Sequence, residues 1–197
     1  MLNPEKQIKT KEQLKDWLDY ELRQYPGKNS VLDVLKISEF SVLRCHQKLL
    51  RKTEYYQNTG KKLRALFYRI RLRKLQNKYA LHIPVNCCQK GLRIMHLGPV
   101  LINNRSIIGE DCQIHFNVIL ANKYTDGQAP VLDDGIIVGA GAIIIGPVRI
   151  AKNVVIGANA VVTHDIVEED IAVAGMPAYK ISNNGRTSCS RRKKEVC

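Results

Sequence analysis

The side chains most able to move a proton near neutral pH are the five histidines of this 197-residue chain, His46, His82, His96, His115 and His164. Two of them lie inside a patterned stretch. His96-Leu-Gly-Pro-Val-Leu-Ile102 parallels Ile144-Ile-Gly-Pro-Val-Arg-Ile150, so His96 occupies a slot that an isoleucine fills later. Imidazole in an aliphatic column costs free energy unless it is hydrogen-bonded. His96 is therefore either the cap of an imperfect first coil or a base displayed where the coil opens. As a displayed base it would take up a proton near neutral pH. His115 directly follows an apolar position, should point outward, and is the second candidate. His46, His82 and His164 have no constellation around them and read as structural or solvated.

Other chemistries find less support. No Ser-His-Asp arrangement, metal-ligand spacing or phosphate-cradling glycine loop is present, and the GAGA at 139–142 is not a dinucleotide fingerprint. The six cysteines, Cys45, Cys87, Cys88, Cys112, Cys189 and Cys197, lack metal-ligand spacing and read as free thiols of a reducing compartment. The start, MLNPEKQIKT, lacks the apolar stretch of a signal peptide, and no apolar run approaches the length of a membrane span. The expectation is a cytoplasmic protein.

The element that must position the histidines is a repeat of period six. Ile102, Ile108, Ile114 and Leu120 form a row that resumes at Leu132, Val138, Ile144, Ile150, Ile156 and Val162. Gly or Ala often follows a row position, and small or β-branched residues (Cys112, Val118, Ile136, Ala142, Val148, Val154, Ala160) stand four after it. Six fits neither a helix nor a simple strand. It fits triangular turns of three short strands whose stacking buries one continuous column. Residues 121–131, with Asp126-Gly127 and Pro130, should form a loop extruded from the stack.

The first 80 residues differ. Thr10 and Gln13 have capping-box spacing ahead of Leu14, Trp17, Leu18 and Leu22 on one helical face, ended by Pro26-Gly27. A second helix is expected over 38–57 with Phe40, Leu43 and Leu50 as its stripe. A third is expected over 61–79 with Leu63, Leu66, Phe67 and Ile70 buried. Ile83-Pro84 marks the change of pattern. The formal charge of +13 is unevenly spread: residues 1–80 hold 19 Lys/Arg against 8 Asp/Glu, whereas 81–179 hold 6 against 9 and 180–197 hold 6 against 1. The expected organisation is a helical region over 1–80, a β-helix over 81–181 and a basic, mobile tail over 182–197.

The succession of GLRIMH, hexapeptide repeats with an extruded loop, IIVGAGAIIIGPVRI, IGANAVV and AGMPA resembles the serine acetyltransferase-like branch of the hexapeptide acyltransferases over roughly residues 80–181. The resemblance implies a mainly β fold, a left-handed parallel β-helix with a small helical N-terminal part, assembled as a trimer with acetyl-CoA between neighbouring subunits. It implies His96 as the catalytic base, and Ala140, Gly141, Ala158, Pro177 and Lys180 along the coenzyme groove, with no metal. The family's aspartate before the catalytic histidine is here Met95, the loop histidine is Ala129, the orienting aspartate falls at Leu81, and the helical part is shorter. The GLRIMHLGPVLIN stretch instead looks like the shortened relatives found with surface-polysaccharide biosynthesis, which acetylate sugar hydroxyls.

A sugar hydroxyl is accordingly the expected acceptor, with L-serine as the alternative. Met95 and Ala129 offer nothing to pair with a zwitterion, whose unpaired charges would be costly in a partly dry site. A reading of another class is a non-catalytic scaffold whose basic helices touch anionic surfaces. Nucleic acid is not expected, since interleaved aromatics and a groove-reading motif are lacking; weak contact with the inner membrane face is.

Overall fold

The computed structural model describes residues 7–26, 38–123 and 127–186. Among the described residues three helices come first, α1 (Lys11–Arg23), α2 (Glu39–Asn58) and α3 (Lys62–Tyr79). Thr10 and Gln13 form the capping box of α1, and the Ser38 hydroxyl caps α2 by accepting from the Ser41 N–H. Fourteen short strands follow, grouped into three sheets.

Successive strands visit the three sheets in rotation. One sheet has the order β1-β3-β6-β9-β12 (Leu81–His82, Val100–Ile102, Val118–Ala121, Ile143–Ile145, Val161–Val162). The second is β4-β7-β10 (Ile107–Ile108, Val131–Leu132, Arg149–Ile150), extended by bridges at Cys88 and Ile166. The third runs β2-β5-β8-β11-β13-β14 (Arg93–Ile94, Gln113–Ile114, Ile137–Val138, Val155–Ile156, Ala172–Ala174, Tyr179–Ser182). All pairs are parallel except β13 with β14. The sequence row thus divides into three inner columns, Ile94-Ile114-Val138-Ile156-Val173, Ile102-Leu120-Ile144-Val162 and Ile108-Leu132-Ile150. All ten row residues are buried, as are the seven small or β-branched residues of the second row. The loop expected at 121–131 lies between β6 and β7; residues 124–126 fall outside the described set.

His96 is not in the column. Ile102 stacks through Leu120 under Ile144, so Ile102 is the counterpart of Ile144. The inner residues Ile94 and Ile102 are eight positions apart, where Ile114–Leu120, Val138–Ile144 and Ile156–Val162 are six. Two extra residues make the first corner bulge outward, and His96 stands on that bulge in solvent. The sequence duplication aligned residue types correctly but put them on different sheets.

The helices cap the first coil through a fully buried polar cluster. Arg51 on α2 contacts Glu21 at 2.7 Å and Glu54 at 2.8 Å, and donates to the carbonyls of Cys88 and Gln89. Glu21 accepts from the Gly91 N–H and Glu54 from the Asn86 N–H. A buried guanidinium is tolerated only when so completely paired.

The third helix departs from expectation. Leu63, Leu66, Phe67 and Ile70 are exposed, whereas Ala65 and Leu72 are buried and Tyr68, Leu75 and Tyr79 pack on the core. At helical spacing α3 carries two apolar stripes on opposite faces. The one bearing Tyr68 meets α2, with Tyr68 stacked on Tyr56 at 5.1 Å between ring centroids. Of the tail expected over 182–197, residues 185 and 186 are tied to the coil: the Gly185 N–H donates to the Asp170 carbonyl and the Arg186 N–H to that of Asn153. Residues 187–197 lie outside the described residues.

Candidate active site

The triangular coil has three edges, and one of them gathers the candidate residues. This edge lies where β2, β5, β8 and β11 turn into β3, β6, β9 and β12. Its successive corners are Met95–Pro99, His115–Asn117, Gly139–Ala142, Gly157–Ala160 and, after β13, Gly175–Pro177. The corners are joined upward by backbone hydrogen bonds: Asn117 N–H to the Pro99 carbonyl, Gly141 N–H to Phe116, Asn159 N–H to Ala140, and Val161 N–H to Gly175. Asn117, Gly141 and Asn159 each take the left-handed conformation that such a tight turn requires.

At the foot of the edge, the side chain of His96 is 53% exposed. Its Nδ1 lies 3.3 Å from Oε1 of Glu39, the first residue of α2, and the same oxygen accepts from the Leu97 N–H at 2.5 Å. The sequence reading had Leu81 in the slot of an orienting carboxylate and found none; the carboxylate comes instead from the helical region. The local signal at Glu39 is that of an acid in a first helical turn, which complements the helix dipole anywhere. Nothing in it points to His96.

His115 sits one coil above, its ring centroid 6.3 Å from that of His96. Burial, with His96 and Arg93 nearby, pushes its pKa below the ordinary histidine value, so it is neutral at neutral pH. Phe116, which the sequence reading did not single out, presents its ring nearly perpendicular to His96 at 6.3 Å. Gly98 makes room for it, because a Cβ there would come within 3.0 Å of the Phe116 Cβ.

Higher on the edge, Ala140, Gly141, Ala158 and Pro177 share the ridge with His96. Lys180 does not belong to it as closely: it lies on β14 and pairs with Glu168 at 2.5 Å. Gly139 and Gly157 hold neighbouring corners in close contact; a Cβ on Gly139 would stand 2.7 Å from the Ala158 nitrogen. Apart from the exposed Asn159 and Met176, this part of the ridge presents backbone and small side chains. Met95 is half-buried and Ala129 buried, and neither offers a charge. Among the described residues no group of three or more His, Cys, Asp or Glu gathers as a metal site, and no helix is long and apolar enough to cross a membrane.

No family model matches the chain. Among curated proteins it is similar to the serine acetyltransferase of Synechococcus elongatus, 37% identical over 98 residues, 49% of this chain and 40% of that one. The serine acetyltransferase of Buchnera aphidicola is 27% identical over 179 residues, 88% of this chain and 62% of that protein. The chain therefore spans between 40% and 62% of the length of these relatives. Among solved structures, the serine acetyltransferase of Neisseria gonorrhoeae in complex with serine superposes with a TM-score of 0.65 at 23% identity, over 87% of this chain and 70% of that one. That of Brucella abortus in complex with coenzyme A gives 0.61 at 21%, over 87% and 67%. The structural likeness establishes the fold, a left-handed parallel β-helix of hexapeptide repeats with a small helical region, and the sequence likeness is to serine acetyltransferases.

Proposed function

We propose that this serine acetyltransferase-like chain is an acetyl-CoA-dependent O-acetyltransferase that uses His96 as general base and L-serine as acceptor. One observation carries the reading: an exposed histidine paired with a carboxylate stands at the foot of a ridge of small residues. With Glu39 3.3 Å from Nδ1, Nε2 is the nitrogen left to act on the acceptor. Nε2 takes the proton of the acceptor hydroxyl as its oxygen attacks the thioester carbonyl carbon. The C–S bond then breaks, and the coenzyme sulfur leaves with the proton carried by the imidazolium. Ala140, Gly141, Ala158 and Pro177 line the path of the coenzyme, with Lys180 at its far end.

L-serine is preferred over the sugar expected from sequence because two reasons now favour it. The relatives of known type are serine acetyltransferases. The pairing argument against a zwitterion also weakens, since Glu39, 36% exposed in its side chain, supplies beside the base the carboxylate that Met95 does not. A sugar acceptor remains the second reading, favoured by Met95 and Ala129 where charged or polar groups would help an amino acid. We further propose a homotrimer with the coenzyme between subunits. Leu101, 51% exposed on an outer face, is among the apolar residues such an assembly would cover.

The experiment is thiol release from acetyl-CoA by the purified protein, comparing L-serine with hexoses, aminosugars and nucleotide sugars. Saturable turnover with L-serine that falls by about 10²–10⁴ in His96→Ala is the expected result. Turnover with a sugar alone moves the acceptor to the second reading, and turnover unchanged in His96→Ala removes His96 as base.

A further inference from the structure

We infer that the outer face of α3 is a docking surface for an anionic membrane, on which the helix lies in the plane of the interface. The stripe that sequence periodicity assigned to the core is free: Leu63 is 86% exposed, Leu66 and Phe67 53% and Ile70 48%. These four occupy one helical face by their spacing of three and four. The opposite face is committed to α2 and the coil, so no shift of the helix can bury both.

The flanks of the stripe carry one sign of charge. Helical spacing puts Arg64, Arg71 and Lys78 along one side, Lys62, Arg69 and Arg73 along the other, and Lys74 in line with the stripe itself. The 18 residues of α3 include seven cations and no acid. Among the described residues none of the seven forms an ion pair with a carboxylate. Arg71 lies over the Phe67 ring at 5.5 Å, a cation held against the apolar stripe. At the N-terminal end of the helix a cavity of about 330 Å³, lined by Gly60, Lys62, Leu66 and Arg69 among others, gives an anionic headgroup a recess between two cations.

The charge selects the occupant. A second copy packed two-fold through this same face would set seven cations against seven, which electrostatics opposes. A nucleic acid would satisfy the cations but leave three aliphatic side chains with nothing to bury them, and only one exposed aromatic is offered for stacking. An anionic bilayer satisfies both features: phosphates meet the flanking cations while Leu63, Leu66, Phe67 and Ile70 enter the acyl boundary. This inference is independent of the transferase reading, since it uses no residue of the candidate active site.

The test is co-sedimentation of the whole chain with vesicles of phosphatidylcholine alone or with about one third phosphatidylglycerol, at low salt. The wild-type protein should pellet with the anionic vesicles and stay in solution with the neutral ones. The double variant Leu66→Ser/Phe67→Ser, which alters only exposed side chains and no charge, should lose about tenfold or more of that binding while keeping its circular dichroism and acetyl transfer. Arg71→Glu/Arg73→Glu should lose binding as well. Failure to pellet with anionic vesicles overturns the inference. So does unchanged pelleting of the Leu66→Ser/Phe67→Ser variant, which would place the contact elsewhere on this basic chain. A smaller oligomer in that variant by light scattering would assign the stripe to a second copy instead, and would equally overturn it.

Discussion

The carboxylate of Glu39 and the imidazole of His96 meet at 3.3 Å, one from the N-terminus of a helix and the other from a bulged corner of the β-helix. The same carboxylate oxygen accepts from the Leu97 N–H, so one group touches both the ring and the backbone that carries it. Glu39 is thus a point at which the helical region reaches His96.

Replacing Glu39 by Gln keeps an acceptor for the Leu97 N–H and removes the charge. The Glu39→Gln variant should lose about tenfold in kcat, typical of a group that orients a base without itself transferring the proton. If Glu39 also receives the ammonium of L-serine, KM for L-serine should rise while KM for acetyl-CoA stays unchanged. Steady-state kinetics with each substrate varied in turn separates the two effects. Wild-type kcat and KM in Glu39→Gln would leave the base with another partner.

How far the sequence could reach is clear from particular residues. The inner columns were legible because each of the ten row positions must be filled by Ile, Leu or Val for coils to stack, and periodicity exposes that constraint directly. Ala140, Gly141, Ala158 and Pro177 came from the family resemblance, and the stacking of the coils puts them on one edge. His96 stands outside the row slot that the sequence duplication gives it, because two additional residues in one corner shift a strand to another sheet without disturbing the local pattern. Glu39 was invisible, since a first-turn acid looks alike whether or not a histidine waits beside it. On α3 two apolar stripes of similar strength competed, and only the shape of α2, with Tyr56 ready to stack on Tyr68, decides which is buried.

Arg51 predicts a large stability effect. It is the sole cation of a fully buried cluster with Glu21 and Glu54, in contact with both at 2.7 and 2.8 Å. Arg51→Met would leave two carboxylates in the interior without a counter-charge, a loss of about 3–5 kcal/mol. Urea unfolding at neutral pH measures it. A cost under about 1 kcal/mol would mean that the helical region is held to the first coil by other contacts.

His46 predicts a dependence on acid. It is fully buried on α2, and among the described residues neither ring nitrogen has a hydrogen-bond partner. Burial, reinforced by Arg51, holds its pKa down to about 3. In the unfolded chain the ring takes up a proton near its ordinary value of 6.5. The folded state therefore binds fewer protons, so this contribution is intact above pH 6.5 and is lost as pH falls toward 3. His46→Leu should cost little at pH 7, where the neutral ring already lacks partners, and should lose less stability than wild type on going to pH 4.5. Denaturant midpoints of both proteins at the two pH values give the comparison, and parallel losses would remove His46 from the account.

The ridge itself is tested by a pair of glycines one coil apart. A Cβ on Gly139 would stand 2.7 Å from both the Ala158 nitrogen and the Ile156 oxygen, backbone atoms that cannot rotate away. A Cβ on Gly157 would approach the Ala174 Cβ at 3.0 Å, where a shift of a few tenths of an ångström gives relief. Gly139→Ala should therefore force adjacent corners apart and cost about 2–3 kcal/mol, whereas Gly157→Ala should cost about 1 kcal/mol or less. The Gly139 corner also carries Ala140 and Gly141, so the same displacement should weaken acetyl-CoA. We expect KM for acetyl-CoA to rise at least about fivefold in Gly139→Ala, with KM for the acceptor nearly constant, because His96 lies two corners below. Thermal unfolding and initial rates on the two variants check both halves. Equal stability losses would refute the steric argument. An unchanged KM for acetyl-CoA in a destabilised but folded Gly139→Ala protein would move the coenzyme path off this ridge.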